Sequence, residues 1–427
     1  MSPTPHPRSD SWKWWICALL LLASAINYMD RQTLANAAVR ITTQFQLNRE
    51  QYGNLEFAFG WAFAVGSLLF GFLVDRISVR WVYPAVLLLW SATGFATGLI
   101  RDYPSLLVCR TLLGFFEAGH WPCAIKTTQR LLDPKDRAMG NSVLQSGTSI
   151  GAIATPLIMR AMLTEDPGSW RMAFQFVGAM GVMWIIAWFA MVRRGDLPVA
   201  APSVAVAETA SPLSARRSLF DVIFSRRMLA LLIVVACINT CWQTLRAWLP
   251  MFLQKGRGYS EAEALYFNSL FFVATDVGCL GAGVLTLWLH RRGWSVHGSR
   301  SLVFVVCAAL TALTTAITVL PKGWLLLAVL LVVGAGALGV FPIYHAFTQE
   351  LSAEHQGKVT GIASVAAWAF APPAQKLFGR LIDRTGSFDA GLALAGWLPL
   401  LGFAALWLLW DKQGPAAGKA PERHGSQ

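Results

Sequence analysis

Three ionisable side chains lie within one apolar stretch of the sequence. The stretch reads RTLLGFFEAGHWP and contains Arg110, Glu117 and His120. A charged group in the middle of a membrane-spanning helix costs about 2.5–3.5 kcal/mol on insertion scales, so such groups usually have a function. Two roles are open: an ion pair that locks helices together, and a pathway for a substrate or an ion. We favour the second, whereas for His120 plain hydrogen bonding and a functional role are equally open.

Ionisable groups also interrupt other apolar stretches. Asp30 and Arg31 are adjacent, and because their side chains diverge by about 100° around a helix, each needs a partner on another helix. Asp276 lies in a later stretch and could carry a proton or pair with a neighbouring helix. Arg246 could bind a ligand deep in the protein or extend to the membrane surface.

Neutral polar side chains add candidates for substrate binding in the second half of the chain. Asn239, Gln243 and Arg246 fall at positions i, i+4 and i+7, which places them on one face of a helix. Trp368 and Gln375 could line the same cavity, with ordinary packing as the default for the tryptophan.

The embedded charges predict a coupling between protons and an anion. The set is neutral when fully ionised, with carboxylates Asp30, Glu117 and Asp276 and guanidinium groups Arg31, Arg110 and Arg246. Protonation of one carboxylate would leave the set positive, and a carboxylate substrate would restore neutrality. Proton and anion would then favour each other's binding, as symport requires. Arginine suits this role because its fork binds a carboxylate through two hydrogen bonds and stays charged.

Apolar helices must position these groups. The chain has 427 residues, of which 55% are hydrophobic and 14% charged. Stretches of roughly 20 apolar residues, each long enough to cross a bilayer core of about 30 Å as a helix, recur along it. There are about twelve, near 14–36, 52–74, 81–100, 104–128, 138–162, 171–192, 228–253, 265–288, 301–320, 323–348, 358–382 and 389–410. The sequence therefore predicts an all-α polytopic membrane protein whose first helix is retained rather than cleaved as a signal peptide.

The net charge of +12 does not indicate a nucleic-acid partner. Lysine and arginine are concentrated in alternate loops, which is the positive-inside pattern of a membrane protein and predicts that both termini are cytoplasmic. The seven cysteines form no CxxC motif or Cys/His cluster, so we expect small buried hydrophobic residues and no metal site.

The chain divides into two halves. We predict an N-terminal six-helix half at 1–194, a cytoplasmic linker at 195–226, a C-terminal six-helix half at 227–412 and a cytoplasmic tail at 413–427. The linker is rich in Ala, Pro and Ser and could end in a short surface helix at Leu219–Phe224. A duplication is indicated because three positions recur at the same spacing in both halves: Gly114, Gly119 and Pro122, and Gly334, Gly339 and Pro342. The charges are not repeated, so helix packing does not need them.

The loop GFLVDRISVR resembles the G-x-L-x-D-R-x-G-x-R signature of the major facilitator superfamily, with Ser78 in place of a glycine. The resemblance implies the major facilitator fold, in which two pseudo-symmetric six-helix halves enclose a substrate site. It also implies a role in gating for four residues of this loop: Gly71, Asp75, Arg76 and Arg80.

Further motifs are similar to the anion:cation symporter family. NYMDRQTL, RTLLGFFEAGHWP and SGTSIGAIATPL carry this resemblance, and QELSAEHQGKVTGIAS and GRLIDRTGSFDAGLALAGWLPLLG look most like its hexuronate and galactonate transporters. The resemblance implies that Asp30 and Glu117 carry protons and that Arg31 and Arg110 contact the substrate carboxylate. Phe63 stands where relatives often have a tyrosine that reaches a sugar hydroxyl.

Together these features predict a proton-coupled importer of a small organic anion: a hexuronate, an aldarate or an aldonate. We expect a monomer in the lipid bilayer of the bacterial inner membrane, driven by the proton gradient without another cofactor. A proton-driven exporter of a drug or metabolite and a transporter-like membrane sensor of sugar acids are the alternatives. The sequence contains no nucleophile motif, phosphate loop or metal cluster that would indicate an enzyme.

Overall fold

A computed structural model describes residues 10–133, 136–197, 219–351 and 356–410, and within these ranges the chain is helical without a strand. The helices are α1 (Asp10–Gln44), α2 (Arg49–Arg76), α3 (Val79–Thr97), α4 (Tyr103–Glu117), α5 (His120–Leu131), α6 (Arg137–Met162), α7 (Trp170–Met191), α8 (Leu219–Ile223), α9 (Arg226–Met251), α10 (Glu261–Arg291), α11 (Val296–Ala312), α12 (Thr314–Ile317), α13 (Trp324–Leu351), α14 (Gln356–Thr385) and α15 (Asp389–Leu409). A π-helical turn at Phe252–Gly256 extends α9. The predicted tail at 413–427 and most of the predicted linker lie outside the described residues.

Eight helical segments of the described chain are long and apolar enough to cross a membrane on their own. The predicted span at 104–128 is divided into α4 and α5. The break at residues 118 and 119 lies about one turn before Pro122, which has no N–H to bond the carbonyl of residue 118. α3 is short, and α6 and α14 are rich in small and polar residues. With these added, the described chain provides twelve membrane-crossing segments, six before and six after α8.

Each half is packed through small residues. In the first half α1 packs on α6, and in the second half α10 packs on α13. A Cβ added at Gly147 of α6 would lie 2.1 Å from the carbonyl oxygen of Leu21, so a larger residue would separate α6 from α1. Gly278 of α10 lies equally close to the backbone of Ala335. Close approach at small residues is the usual way that membrane helices associate.

The halves meet mainly along α2 with α14 and α6 with α10, with α1 on α9 between them. The hydrogen bonds that join the halves through described residues lie at the centre of the interface and at one end of it. We call the end where Arg40 meets Glu261 and where Asp383 meets the start of α2 the closed end. There Arg40 binds both carboxylate oxygens of Glu261 at 2.8 and 2.7 Å. Asn268 also donates to the side chain of Asn36 at 2.8 Å.

A second group of contacts at the closed end joins α14 to the start of α2. Asp383 accepts hydrogen bonds from the backbone N–H groups of Arg49 and Glu50 at 2.9 and 2.8 Å. Arg380 pairs with Glu50 at 2.6 Å. The closed end therefore has ionic contacts on two sides of the interface.

Candidate functional site

Three arginines are buried where the two halves meet. Arg31 is 6% exposed, and Arg110 and Arg246 are 3% exposed. Arg31 and Arg110 come from α1 and α4 of the first half, and Arg246 comes from α9 of the second half. The alternative in which Arg246 extends to the membrane surface does not hold, and both halves contribute positive charge to the centre.

Glu56 of α2 joins two of these arginines. Its carboxylate, 4% exposed, accepts from Nη2 of Arg110 at 3.0 Å and from Nη2 of Arg246 at 2.5 Å. Sequence analysis missed this residue. Glu56 falls inside the predicted span 52–74, so the rule that singled out the other embedded charges also applies to it. Its position near the start of that span allowed a surface location, where a carboxylate is ordinary.

Glu56 also changes the charge balance of the site. The set now holds four carboxylates and three guanidinium groups, so the predicted neutrality of the fully ionised set is wrong. The set becomes neutral when one of the four carboxyl groups carries a proton.

Arg31 and Glu117 form an ion pair between α1 and α4, with 2.7 Å between Nε and Oε2. Arg110 and Glu117, which lie two turns apart on α4, have separate partners, as their spacing predicted. Aromatic rings surround the Arg31 guanidinium. Its Cζ lies 4.7 Å from the ring centroid of Phe63 and 5.9 Å from that of Trp368. Phe63 and Trp368 contact each other across the halves, with their ring centroids 4.6 Å apart.

The three arginines retain unused donors. Nη2 of Arg31, Nε and Nη1 of Arg110 and Nη1 of Arg246 are buried and have no hydrogen-bond partner within the described part of the chain. A buried donor without a partner costs about 1–3 kcal/mol, and more when it is charged. Donors of this kind at the interface can bind an anion with several charge-assisted hydrogen bonds.

Asp30 is fully buried, and neither carboxylate oxygen has a hydrogen-bond partner among the described residues. It packs against Gly94 of α3, where an added Cβ would lie 2.8 Å from Oδ1 of Asp30. A buried carboxylate without a hydrogen bond is costly when ionised, and a carboxyl group that can take up a proton avoids that cost.

His120 uses both ring nitrogens within the first half. Nε2 lies 2.9 Å from the hydroxyl of Ser24, and Nδ1 lies 2.9 Å from the hydroxyl of Tyr83. The rings of Trp90 and Trp121 pack around it. Neither nitrogen is free for a ligand in this conformation, so the geometry matches the hydrogen-bonding alternative.

The candidates of the second half have different partners. Asn239 donates to the carbonyl of Ala367 at 2.9 Å, within its own half. Gln243 accepts from Nε of Arg246 at 2.7 Å and so orients that arginine. Gln375 is buried and accepts from Nε1 of Trp248 at 2.7 Å, which is a packing role.

Asp276 lies apart from the arginine cluster in its bonding. Its Oδ1 accepts from the hydroxyl of Ser149 at 2.9 Å, a contact between α10 and α6 across the halves. Asp276 is half-buried, whereas Asp30 and Glu117 are fully buried. Among the described residues no arginine is hydrogen-bonded to it.

The predicted gating loop contacts only its own half in the described structure. Asp75 pairs with Lys126 of α5, and Nε of Arg80 donates to the carbonyl of Val192 at 3.0 Å. Arg76 is exposed, and a Cβ added at Gly71 would meet no atom within 4 Å. Because α2 begins at the closed end with Arg49 and ends with Arg76, the loop lies at the opposite end.

Comparison with known proteins identifies the class. The family model of the Major Facilitator Superfamily matches residues 20–375, and the chain belongs to this family of membrane transporters. It is 24% identical over 426 residues to the hexuronate transporter of Escherichia coli (strain K12), covering 96% of this chain and 97% of that protein. It is 26% identical over 407 residues to the probable L-galactonate transporter of the same strain, covering 91% and 87%.

A solved structure gives the same architecture. The bacterial homologue of the human lysosomal transporter Spinster, in an inward-facing and occupied conformation, superposes with a TM-score of 0.76 at 17% identity, covering 96% of this chain and all of that one. The predictions of fold class, family and multi-pass membrane location are thus confirmed, and the chain is a transporter, not an enzyme.

Proposed function

We propose that the chain imports a sugar acid together with protons by alternating access between its two halves. One observation carries this proposal: Arg31, Arg110 and Arg246 converge from both halves, are buried, and hold unused N–H donors. A carboxylate matches a guanidinium fork in shape and charge, so it is the group that these donors suit best.

The substrate class rests on the relatives and on the walls of the site. The relatives named above are called hexuronate and L-galactonate transporters, which supports a sugar acid. Phe63 and Trp368 form an apolar surface beside Arg31, against which the carbon skeleton of a sugar acid could lie. Phe63 has no hydroxyl, so this wall does not distinguish sugar hydroxyl groups by hydrogen bonding.

Proton coupling follows from the charges. Asp30 is buried and accepts no hydrogen bond from a described residue, and Glu117 shares the Arg31 guanidinium that would bind substrate. Binding of an anion to Arg31 would weaken its pairing with Glu117, so proton uptake at Glu117 and anion binding would favour each other. Asp276 is a third candidate carrier, on the separate α6–α10 contact.

The proposed orientation follows the positive-inside rule. The loops at the gating end carry the excess of Lys and Arg, which supports a cytoplasmic location for that end in a bacterial inner membrane. The closed end then faces outward, away from the cytoplasm. The prediction that both termini are cytoplasmic, which concerns residues outside the described ranges, is part of this proposal.

The proposal is tested in proteoliposomes with radiolabelled D-glucuronate and other sugar acids. Wild-type protein should accumulate the substrate when the outside is acidic. Glu117→Gln mimics the protonated carboxyl, so it should exchange substrate across the membrane but not accumulate it. Asp30→Asn provides the same comparison at the second carboxyl, and Glu350→Gln, whose pair with Arg300 lies inside the second half, is the control. Accumulation by the Glu117→Gln protein would show that Glu117 is not the obligatory carrier.

A further inference from the structure

The Glu56 carboxylate occupies donors of two arginines that the proposed substrate would need. One oxygen accepts from Arg110 at 3.0 Å and the other from Arg246 at 2.5 Å. Both arginines still have unused N–H groups, as described above. A carboxylate of the protein therefore binds the same two guanidinium groups that the proposed substrate would bind.

The Glu56 contact also joins the halves. Glu56 and Arg110 belong to the first half, whereas Arg246 belongs to the second. One turn before Glu56, the hydroxyl of Tyr52 donates to the carbonyl of Ala247 at 2.9 Å, and its ring lies 4.9 Å from that of Trp248. Consecutive turns of α2 thus bind consecutive residues of α9.

We propose that Glu56 is a tethered competitor of the substrate, which holds Arg110 and Arg246 in the empty site and is displaced when the substrate carboxylate binds. This inference rests on the proposed function. Displacement would break the Glu56–Arg246 contact and so remove one bond between the halves. A ligand shifts a conformational equilibrium only by its differential affinity for the two states, and exchange of one carboxylate for another supplies such a difference.

The competition has a consequence for affinity. While Glu56 holds the arginines, the site is not competent, and the apparent affinity is reduced by the fraction of molecules that are competent. If about one molecule in ten is competent without ligand, release of Glu56 raises the apparent affinity about tenfold. A residue that only braced the site would have the opposite effect, because its loss would disorder the arginines.

Two substitutions separate competition from simple charge removal. Glu56→Gln removes the charge, and Glu56→Asp keeps it but shortens the side chain so that it cannot reach both arginines. We expect both variants to bind D-glucuronate more tightly than wild type by titration calorimetry, by about tenfold for Gln and less for Asp. The matched control is Glu350→Gln, which breaks an Arg–Glu pair with Arg300 inside the second half and should leave the affinity unchanged.

The outcomes are distinguishable. If Glu56→Gln binds D-glucuronate more tightly while Glu56→Asp binds it as wild type does, the effect is due to the charge alone. That result would overturn the proposal that Glu56 competes with the substrate. Equal or weaker binding by both variants, with wild-type binding intact, would overturn this inference and leave the proposed function standing. Absence of binding of every sugar acid to wild type and both variants would overturn the two together. Transport supplies a second readout: Glu56→Gln should bind more tightly yet translocate more slowly, because substrate no longer breaks a contact between the halves.

Discussion

The pattern G-x-L-x-D-R occurs twice in the chain, at 71–76 and at 379–384, and the two copies have different surroundings. A Cβ at Gly379 would lie 2.2 Å from the carbonyl oxygen of Arg49, whereas nothing lies within 4 Å of a Cβ at Gly71. Asp383 caps the start of α2 in the other half, whereas Asp75 pairs with Lys126 of its own half. The copy at 379–384 thus forms an interface between the halves at the closed end. The copy at 71–76 forms no such interface with a described residue.

The difference shows how one motif can hold two helices of different halves together. The glycine lets the backbones approach, and the aspartate satisfies two N–H groups that the first turn of a helix leaves unpaired. Its negative charge also interacts favourably with the positive end of the helix dipole. The copy at 379–384 supplies this contact at the closed end, so substitutions there should open that end, while the same substitutions at 71–76 should not.

The largest effect is expected from Gly379→Ala. The added methyl group must displace the backbone of α2, and such overpacking costs about 1–3 kcal/mol. Distances between spin labels on the loops at 45–48 and 386–388 should lengthen, with a major population in which the closed end is open. Gly71→Ala is the matched control and should leave these distances unchanged. Wild-type distances in the Gly379→Ala protein would show that the close approach of Gly379 to α2 does not hold the closed end.

Loss of the helix cap should have the next largest effect. Asp383→Ala leaves two backbone N–H groups of α2 without their acceptor, and loss of such a cap costs about 0.5–2 kcal/mol. The same spin-label pair should report a partial lengthening of the distances in Asp383→Ala. Asp383→Asn should lengthen them less, because Asn can still accept a hydrogen bond. Asp75→Ala removes the corresponding residue of the other copy and should not alter the closed end; an equal response from both would contradict the comparison.

Arg40→Lys tests the other side of the closed end. Lysine keeps the charge but cannot bind both oxygens of Glu261, and it loses the bonds to the carbonyls of Thr164 and Asp166. Because this pair is partly exposed, we expect the free energy of opening the closed end to change by no more than about 1 kcal/mol. The control is Arg300→Lys, whose partner Glu350 lies in the same half. A shift of the closed end by the control would point to a general effect of lysine substitution.

The smallest effect is expected from Arg380→Ala. Its pair with Glu50 is partly exposed to solvent, where salt screens the attraction and ordering of the side chains offsets it. The spin-label distances should match wild type at high salt and differ slightly at low salt. A large shift that persists at high salt would show that this pair, rather than Gly379 and Asp383, holds the closed end.

The sequence predicted much of the fold and part of the site. Twelve apolar stretches predicted the spans because the bilayer sets their length, and embedded charge singled out Arg31, Arg110 and Glu117. Their partners could not be predicted, since the contacts of Arg31 with Glu117 and of Arg110 with Glu56 join different helices. Glu56 was missed because its position near the start of the predicted span also allowed a surface location, where a carboxylate is ordinary.

The ambiguous candidates required coordinates. The sequence allowed Arg246 to lie deep in the protein or to extend to the membrane surface. The packing of α9 on the first half places it beside Glu56. For His120, two hydrogen bonds inside the first half match one of the alternatives that residue type alone leaves open. The repeat at 379–384 was visible in the sequence, but its contact with α2 depends on the conformation.

The most direct test of the central claim is the affinity of purified protein for D-glucuronate, measured by titration calorimetry in wild type, Arg110→Lys and Arg246→Lys. Both lysine variants keep the positive charge but lose the guanidinium fork. The account predicts saturable binding to wild type, affinity at least tenfold weaker in both variants, and wild-type affinity in Arg300→Lys, with thermal unfolding unchanged. Unaltered affinity in Arg110→Lys and Arg246→Lys would contradict a carboxylate site formed by arginines of both halves.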